Sequence, residues 1–251
     1  MSAEAPVLAA RAVGKRFAGV VALEDVTLAA RAGEVTCLLG DNGAGKSTLI
    51  KVLSGVHPPA HGHVEVDGRP VRLESPRHAR RLGIATVHQD PAVFPLMSVW
   101  RNVFLGRETT VGRGPLRRLD AAAARDGTRR ELAAFGIHVD DVDRPLATLS
   151  GGERQSVAIA RAVHTGARAL ILDEPTAALG VRQAGLVLDR VERARDAGIA
   201  VILVSHNPRH ALKVGTRFVV LRNGRVIARR GRDALTHEAL SALMAGGEPA
   251  D

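Results

Sequence analysis

Nine residues, Gly40-Asp41-Asn42-Gly43-Ala44-Gly45-Lys46-Ser47-Thr48, carry the spacing GxxxxGK[ST]. This is a glycine-rich loop whose backbone N–H groups can wrap phosphate oxygens. In such a loop Lys46 brings a cation to the β and γ phosphates of a nucleotide, and the Ser47 hydroxyl holds Mg²⁺. Farther along, the apolar run Ala169-Leu170-Ile171-Leu172 ends in two carboxylates, Asp173 and Glu174. Asp173 suits the Mg²⁺ shell. Glu174, directed to the other side of the chain, suits orientation and deprotonation of an attacking water. Gln89 and His206 each follow an apolar run, 84–87 and 200–204. Gln89 is placed to reach the metal or the water, and His206 to donate to the γ phosphate. A second glycine-rich helix start, Leu149-Ser150-Gly151-Gly152-Glu153, offers backbone amides and a helix dipole to an anion but has no lysine. It is therefore expected to finish a phosphate site built mostly elsewhere, which points to an enzyme made of two chains.

The elements that must position these residues are readable from apolar runs and turn signals. Residues 7–13 and 20–28 read as short strands broken by Gly14 and Gly19, an antiparallel edge layer. Residues 35–39 read as a buried strand and 46–53 as a helix stopped at Gly55, so the phosphate loop lies between strand and helix, the context it needs. Residues 63–66 and 71–73 flank Asp67-Gly68 as a hairpin, 76–82 form a short helix, and 84–87 form a strand. From 91 to about 165 helical patterns replace strands, which marks an inserted lobe, with 107–119 as an exposed loop. Strands return at 169–172, 200–204 and 218–221, separated by helices, followed by a hairpin at Asn223-Gly224 and a helix over 236–243. Alternating β and α units imply an α/β fold with a parallel sheet.

Bulk properties bound the reading. At 251 residues the chain suits one compact unit with an inserted subdomain. It has no run near the roughly 20 apolar residues a bilayer span needs, and Met1-Ser2-Ala3-Glu4 does not begin a signal peptide, so solubility on its own is expected. The one cysteine, Cys37, sits in the run 35–39 and reads as a small core residue. A net charge of +9 raises nucleic acid as a partner. However, the basic residues, of which only four are lysine, are scattered, and five Phe, one Trp and no Tyr leave few stacking platforms; no nucleic acid is expected. His206 and His210 have zinc-ligand spacing, but Pro208 intervenes and the motif's glutamate is missing. His57, His61 and His63 read as a solvated Pro/Gly-rich turn.

Taken together and in this order, the phosphate loop, Gln89, the Leu149–Glu153 pentapeptide, Ile171-Leu172-Asp173-Glu174 and His206 resemble the nucleotide-binding subunits of ATP-binding cassette (ABC) transporters over nearly the whole chain. The pentapeptide discriminates, since other phosphate-loop enzymes lack it. The resemblance implies a P-loop NTPase (RecA-like) core over 1–90 with 166–251 and a helical signature subdomain over 91–165. It implies ATP and Mg²⁺ as cofactors, and a head-to-tail homodimer in which Ser150, Gly151 and Gly152 act on the nucleotide of the partner copy. Integral-membrane permease subunits, an indirectly coupled solute-binding protein, and a peripheral place on the cytoplasmic face of the membrane follow. Phe17 matches the position of the family's adenine-stacking aromatic; a core phenylalanine is the competing reading. The stretches 94–108 and 174–180 are similar to monosaccharide importers, and a lone cassette is similar to the fructose-type subunits. Trp100 and Phe104 either face a permease or pack inside the lobe. The chain departs from the family at Gly180, where most members carry an aspartate that contacts the partner copy, which bears on how the two sites are coupled. The alternative within the family is a soluble ATPase acting on nucleic acid or ribosomes. A non-catalytic nucleotide sensor would lack Lys46, Glu174 or His206, and all three are present.

Overall fold

A computed structural model describes residues 5–90 and 92–246. The first four residues, the expected first residue of the lobe at 91, and residues 247–251 lie outside it. Three adjacent core strands are apolar on both faces apart from Thr36 and the terminal Asp173 and Ser205, and the structure shows why. In β3 (Val35–Leu39), β9 (Ala169–Asp173) and β10 (Ala200–Ser205), alternate side chains enter opposite cores. Val35, Cys37, Leu39, Leu170, Leu172, Val201 and Leu203 face one, while Leu38, Ile171, Ile202 and Val204 face the other. A strand covered on both faces has no polar side to show.

β1 (Leu8–Phe17), β2 (Val20–Ala30), β4 (His61–Val66) and β5 (Arg69–Val71) form a four-stranded antiparallel sheet in the order β2-β1-β4-β5. The second sheet is built from β6 (Ile84–Val87), β9, β10, β3, β11 (Arg217–Arg222) and β12 (Arg225–Gly231), in the order β12-β11-β3-β10-β9-β6. All its pairings are parallel except β11 with β12, which are joined by the expected hairpin at Asn223-Gly224. α1 (Lys46–Leu53) packs Leu49, Ile50, Val52 and Leu53 into the core shared with the antiparallel sheet. α6 (Val181–Asp196), α7 (Pro208–Val214) and α8 (His237–Ala245) cover the other face.

Between β6 and β9 lie α3 (Val99–Phe104), α4 (Ala121–Ala134) and α5 (Gly151–His164), with α2 (Pro76–Arg81) just before β6. Their apolar faces join the core of the large sheet rather than forming one of their own: Trp100, Phe104 and Leu132 share a cluster with Leu170 and Val187. This decides between the two readings of Trp100 and Phe104. Trp100 is only 3% exposed, its Nε1–H donates to Asp143 Oδ1 at 3.0 Å, and the guanidinium groups of Arg101 and Arg125 lie over its ring.

Three local expectations are corrected. Gly14 does not end the first strand, because register shifts around residues 11–14 absorb the irregularity and pairing continues to Phe17. Residues 107–119 are not plain loop: β7 (Thr110–Val111) and β8 (Arg118–Leu119) pair as a short ribbon. His61 belongs to β4 rather than to a turn, and His63 stands in that strand as the reading of 63–66 has it; Asp25 holds the first at 3.1 Å and Glu65 the second at 3.3 Å.

Candidate functional site

The register of the large sheet builds the site. Val204 pairs with Asp173, Val87 with Leu172, and Ser205 with Leu39, so β6, β9, β10 and β3 end almost level. The next residues on each strand, His88-Gln89, Glu174, His206 and Gly40, therefore share one edge, where open parallel sheets present ligand sites. The backbone N–H of Glu174 donates to the Val204 carbonyl at 3.1 Å, extending the ladder one step past β9.

At this edge the phosphate loop turns through three glycines with positive φ, Gly40, Gly43 and Gly45. A Cβ at Gly45 would lie 2.8 Å from the Ala22 carbonyl, so only glycine fits the close approach of loop and β2. Lys46 is 7% exposed, and its Nζ donates to the carbonyls of Gly40 at 2.6 Å and Asp41 at 3.0 Å. The loop's own carbonyls thus hold its cation in place. Ser47 stands exposed in the first turn of α1.

A cleft of about 520 Å³ joins Asp41, Asn42, Gly43, Ala44, Gly45, Lys46, Ser47 and Thr48 to Gln89, Asp173 and Glu174. Burial pushes the Asp173 carboxyl above its ordinary range, against the pull of His88 3.9 Å away and of Lys46. His206 reaches this group through Glu174, its Nδ1 lying 3.0 Å from Oε2. The cleft is completed by Val20, Val21, Ala22, Asn223 and Gly224, which sequence reasoning did not single out; the only signal was the hairpin turn at Asn223-Gly224.

Phe17 is not a core residue. Its ring is 42% exposed, edge-on to His57 at 5.4 Å, with Lys15 Nζ 5.3 Å from its centroid. Cys37 is buried as expected, and burial raises its thiol pKa well above the ordinary range.

The second glycine-rich turn is not brought to this cleft. Ser150 caps α5 in a reciprocal box: its Oγ accepts from the Glu153 N–H at 3.3 Å, and Glu153 Oε2 accepts from the Ser150 N–H at 2.7 Å. Gly152 packs against α6, where a Cβ would lie 2.9 Å from Gln183 Cβ. Gly151 lines a separate, wider groove of about 1050 Å³ with Gln89, Arg154, Pro175, Leu179 and Gln183. Among the described residues no cluster of His, Cys, Asp and Glu could hold a metal by itself. His210, the second member of the pair with zinc spacing, instead meets Thr176 Oγ1 at 2.9 Å through Nδ1.

A phosphate loop between β3 and α1, two carboxylates at the end of β9 and a helical insertion carrying a second glycine-rich helix start define a phosphate-loop nucleotide-binding cassette. The family model for ABC transporters matches residues 23–177, and the chain belongs to this family. It is 43% identical, over 96% of its length, to the ribose import ATP-binding protein RbsA 1 of Streptomyces coelicolor, of which it spans about half, 47%. It is 38% identical to the fructose import ATP-binding protein FrcA of Rhizobium meliloti, covering 98% of this chain and 97% of that protein. Among solved structures, the ADP conformation of an ATP-binding cassette of an ABC transporter superposes with a TM-score of 0.81 at 25% identity, over 96% of this chain and 95% of that one.

Proposed function

We propose that the chain is the ATP-hydrolysing subunit of an ABC importer for a monosaccharide, working through separate permease subunits at the cytoplasmic face of the membrane. The observation that carries the ATPase reading is the level sheet edge that gathers Lys46, Gln89, Asp173 and Glu174 around one cleft, with His206 behind Glu174. The similarity to ribose and fructose import ATP-binding proteins supports the import reading over action on nucleic acid or ribosomes. Among the described residues no helix is long and apolar enough to cross a membrane. The unit divides into a core of residues 1–90 with 166–251 and a lobe of 91–165.

The site residues take these roles. The loop 40–48 wraps the phosphates, with Lys46 on the β and γ groups. Mg²⁺ fits the oxygen donors at hand: the exposed Ser47 hydroxyl, the Gln89 carbonyl, and a desolvated Asp173 carboxylate, with His88 3.9 Å away. When bound, the ion neutralises charge on the transferring phosphate. Glu174 orients and deprotonates the water, and His206 donates to the γ phosphate. Phe17 offers its open face to adenine beside Val20 and Val21. Ser150, Gly151 and Gly152, turned away from their own cleft, complete the Lys46 site of a second copy, as the amide-rich start of α5 suits.

Glu174→Gln tests this reading. The variant is expected to keep ATP binding, lose turnover by more than about a hundredfold, and accumulate as an ATP-bound dimer in size-exclusion chromatography. Normal hydrolysis by the variant would remove Glu174 as the general base. Purification from native membranes that brings down no permease would refute the import role.

A further inference from the structure

The loop that follows the proposed general base is strained and doubly held. Glu174 has φ of 50° and Ala178 φ of 59°, both in the left-handed region that non-glycine residues avoid. Strain of this kind persists only where the surroundings hold it. Besides the Glu174 N–H bond to the Val204 carbonyl, two side-chain contacts do so here, one from just before α7 and one from its first turn. His206 Nδ1 lies 3.0 Å from Glu174 Oε2, and His210 Nδ1 lies 2.9 Å from Thr176 Oγ1. The two histidines are four residues apart, His206 just before the Asn207 cap and His210 in the first turn of α7, and the residues they hold are two apart. The start of α7 is itself fixed, since Asn207 Oδ1 accepts from the N–H groups of Arg209 at 3.0 Å and His210 at 3.3 Å.

The two contacts differ in surroundings. Thr176 is only 6% exposed, whereas the His206 side chain is open to the cleft edge. Burial first, then the charges of His206 and Lys213, holds His210 below the ordinary histidine range against the opposing pull of Glu174, which favours the neutral ring. A neutral imidazole pairs with a hydroxyl in either tautomer. The pair thus serves as a fixed tether.

We infer that His210 is a positioning residue: through Thr176 it anchors the loop that carries Glu174, setting where that carboxylate stands relative to the attacking water. The inference rests on the reading of Glu174 as general base. It assigns to this chain an anchor within one copy, on a loop whose cross-dimer aspartate is replaced by Gly180.

The test is steady-state ATP hydrolysis by His210→Ala, His210→Asn, Thr176→Val and the double variant His210→Ala with Thr176→Val. Loss of the tether should lower kcat about tenfold with the KM for ATP within about twofold, because a misplaced base weakens the transition state and not substrate binding. Asparagine, whose amide stands where Nδ1 stands, should recover most of the rate. Thr176→Val should match His210→Ala, and the double variant should be no worse than either. Unchanged kcat in His210→Ala, multiplying losses in the double variant, or an asparagine variant no better than alanine would overturn the inference. A Glu174→Gln enzyme that turned over normally would bring down the general-base reading and the anchor with it. A dead Glu174→Gln enzyme beside a fully active His210→Ala enzyme would sink the anchor alone.

Discussion

Gly180→Asp should stabilise this protein, and the structure says by how much. Gly180 is the N-cap of α6, with φ of −65° and ψ of 160°, a conformation open to any residue, and a Cβ there would meet nothing within 4 Å. The helix has no side-chain cap and no acidic residue in its first turn. An aspartate oxygen accepting from the amides of the first turn gains a few tenths of a kcal/mol over glycine. A negative charge at the helix start adds roughly 0.3–1 kcal/mol. The sum, about 1 kcal/mol, should raise the thermal midpoint of a domain this size by roughly 2–4 °C in differential scanning calorimetry. Gly180→Asn supplies the cap without the charge, so it should gain less, and the difference from Gly180→Asp should shrink in about 1 M salt, where charges are screened within a few ångströms. A midpoint below that of the parent would refute the open-cap geometry. Equal gains for aspartate and asparagine would refute the dipole contribution.

Two further expectations concern the glycine-rich start of α5. The bond from the Ser150 amide holds the Glu153 carboxyl below its ordinary range, so its stabilisation is fully present at neutral pH and is lost as pH falls through the depressed folded value. Glu153→Ala should therefore cost about 1 kcal/mol at pH 7 by urea unfolding, with a gap that closes in acid; a gap that persists at pH 2 would contradict this. In Gly152→Ala the new methyl would meet Gln183 Cβ at 2.9 Å and its carbonyl at 3.0 Å, so α5 must move off α6 at a cost of about 1–3 kcal/mol. Its thermal midpoint should fall, and an unchanged midpoint would show that α6 yields freely.

Legibility in the sequence followed the source of each constraint. The bounds of β3, α1 and β6 match their sequence readings because each rests on a local signal, an apolar run closed by glycine or a polar residue. The phosphate loop and the Asp173-Glu174 pair were legible for the same reason. What escaped depends on contacts between distant residues. Strand β1 runs past Gly14 because β2 and β4 pair with it across a bulge. The ribbon at 110–119 closes on only two paired positions, too few to leave an alternating pattern. Whether Phe17 and Trp100 were inside or outside was undecidable from residue type, since either ring suits a core or an interface. The Thr176–His210 contact spans 34 residues, and the only hint was two histidines four residues apart just after a core strand.

The shared core of lobe and sheet has a mechanical consequence. Trp100, Phe104 and Leu132 belong to one continuous apolar cluster with Leu170, Leu172 and the α6 side chain of Val187. Close-packed interiors compress little and transmit displacement. A tilt of the lobe must slide α5 along α6 in shear, since packing at the seam opposes a free hinge. A push at the glycine-rich end of α5 is therefore expected to move the helices and the sheet core together rather than bend the seam between them.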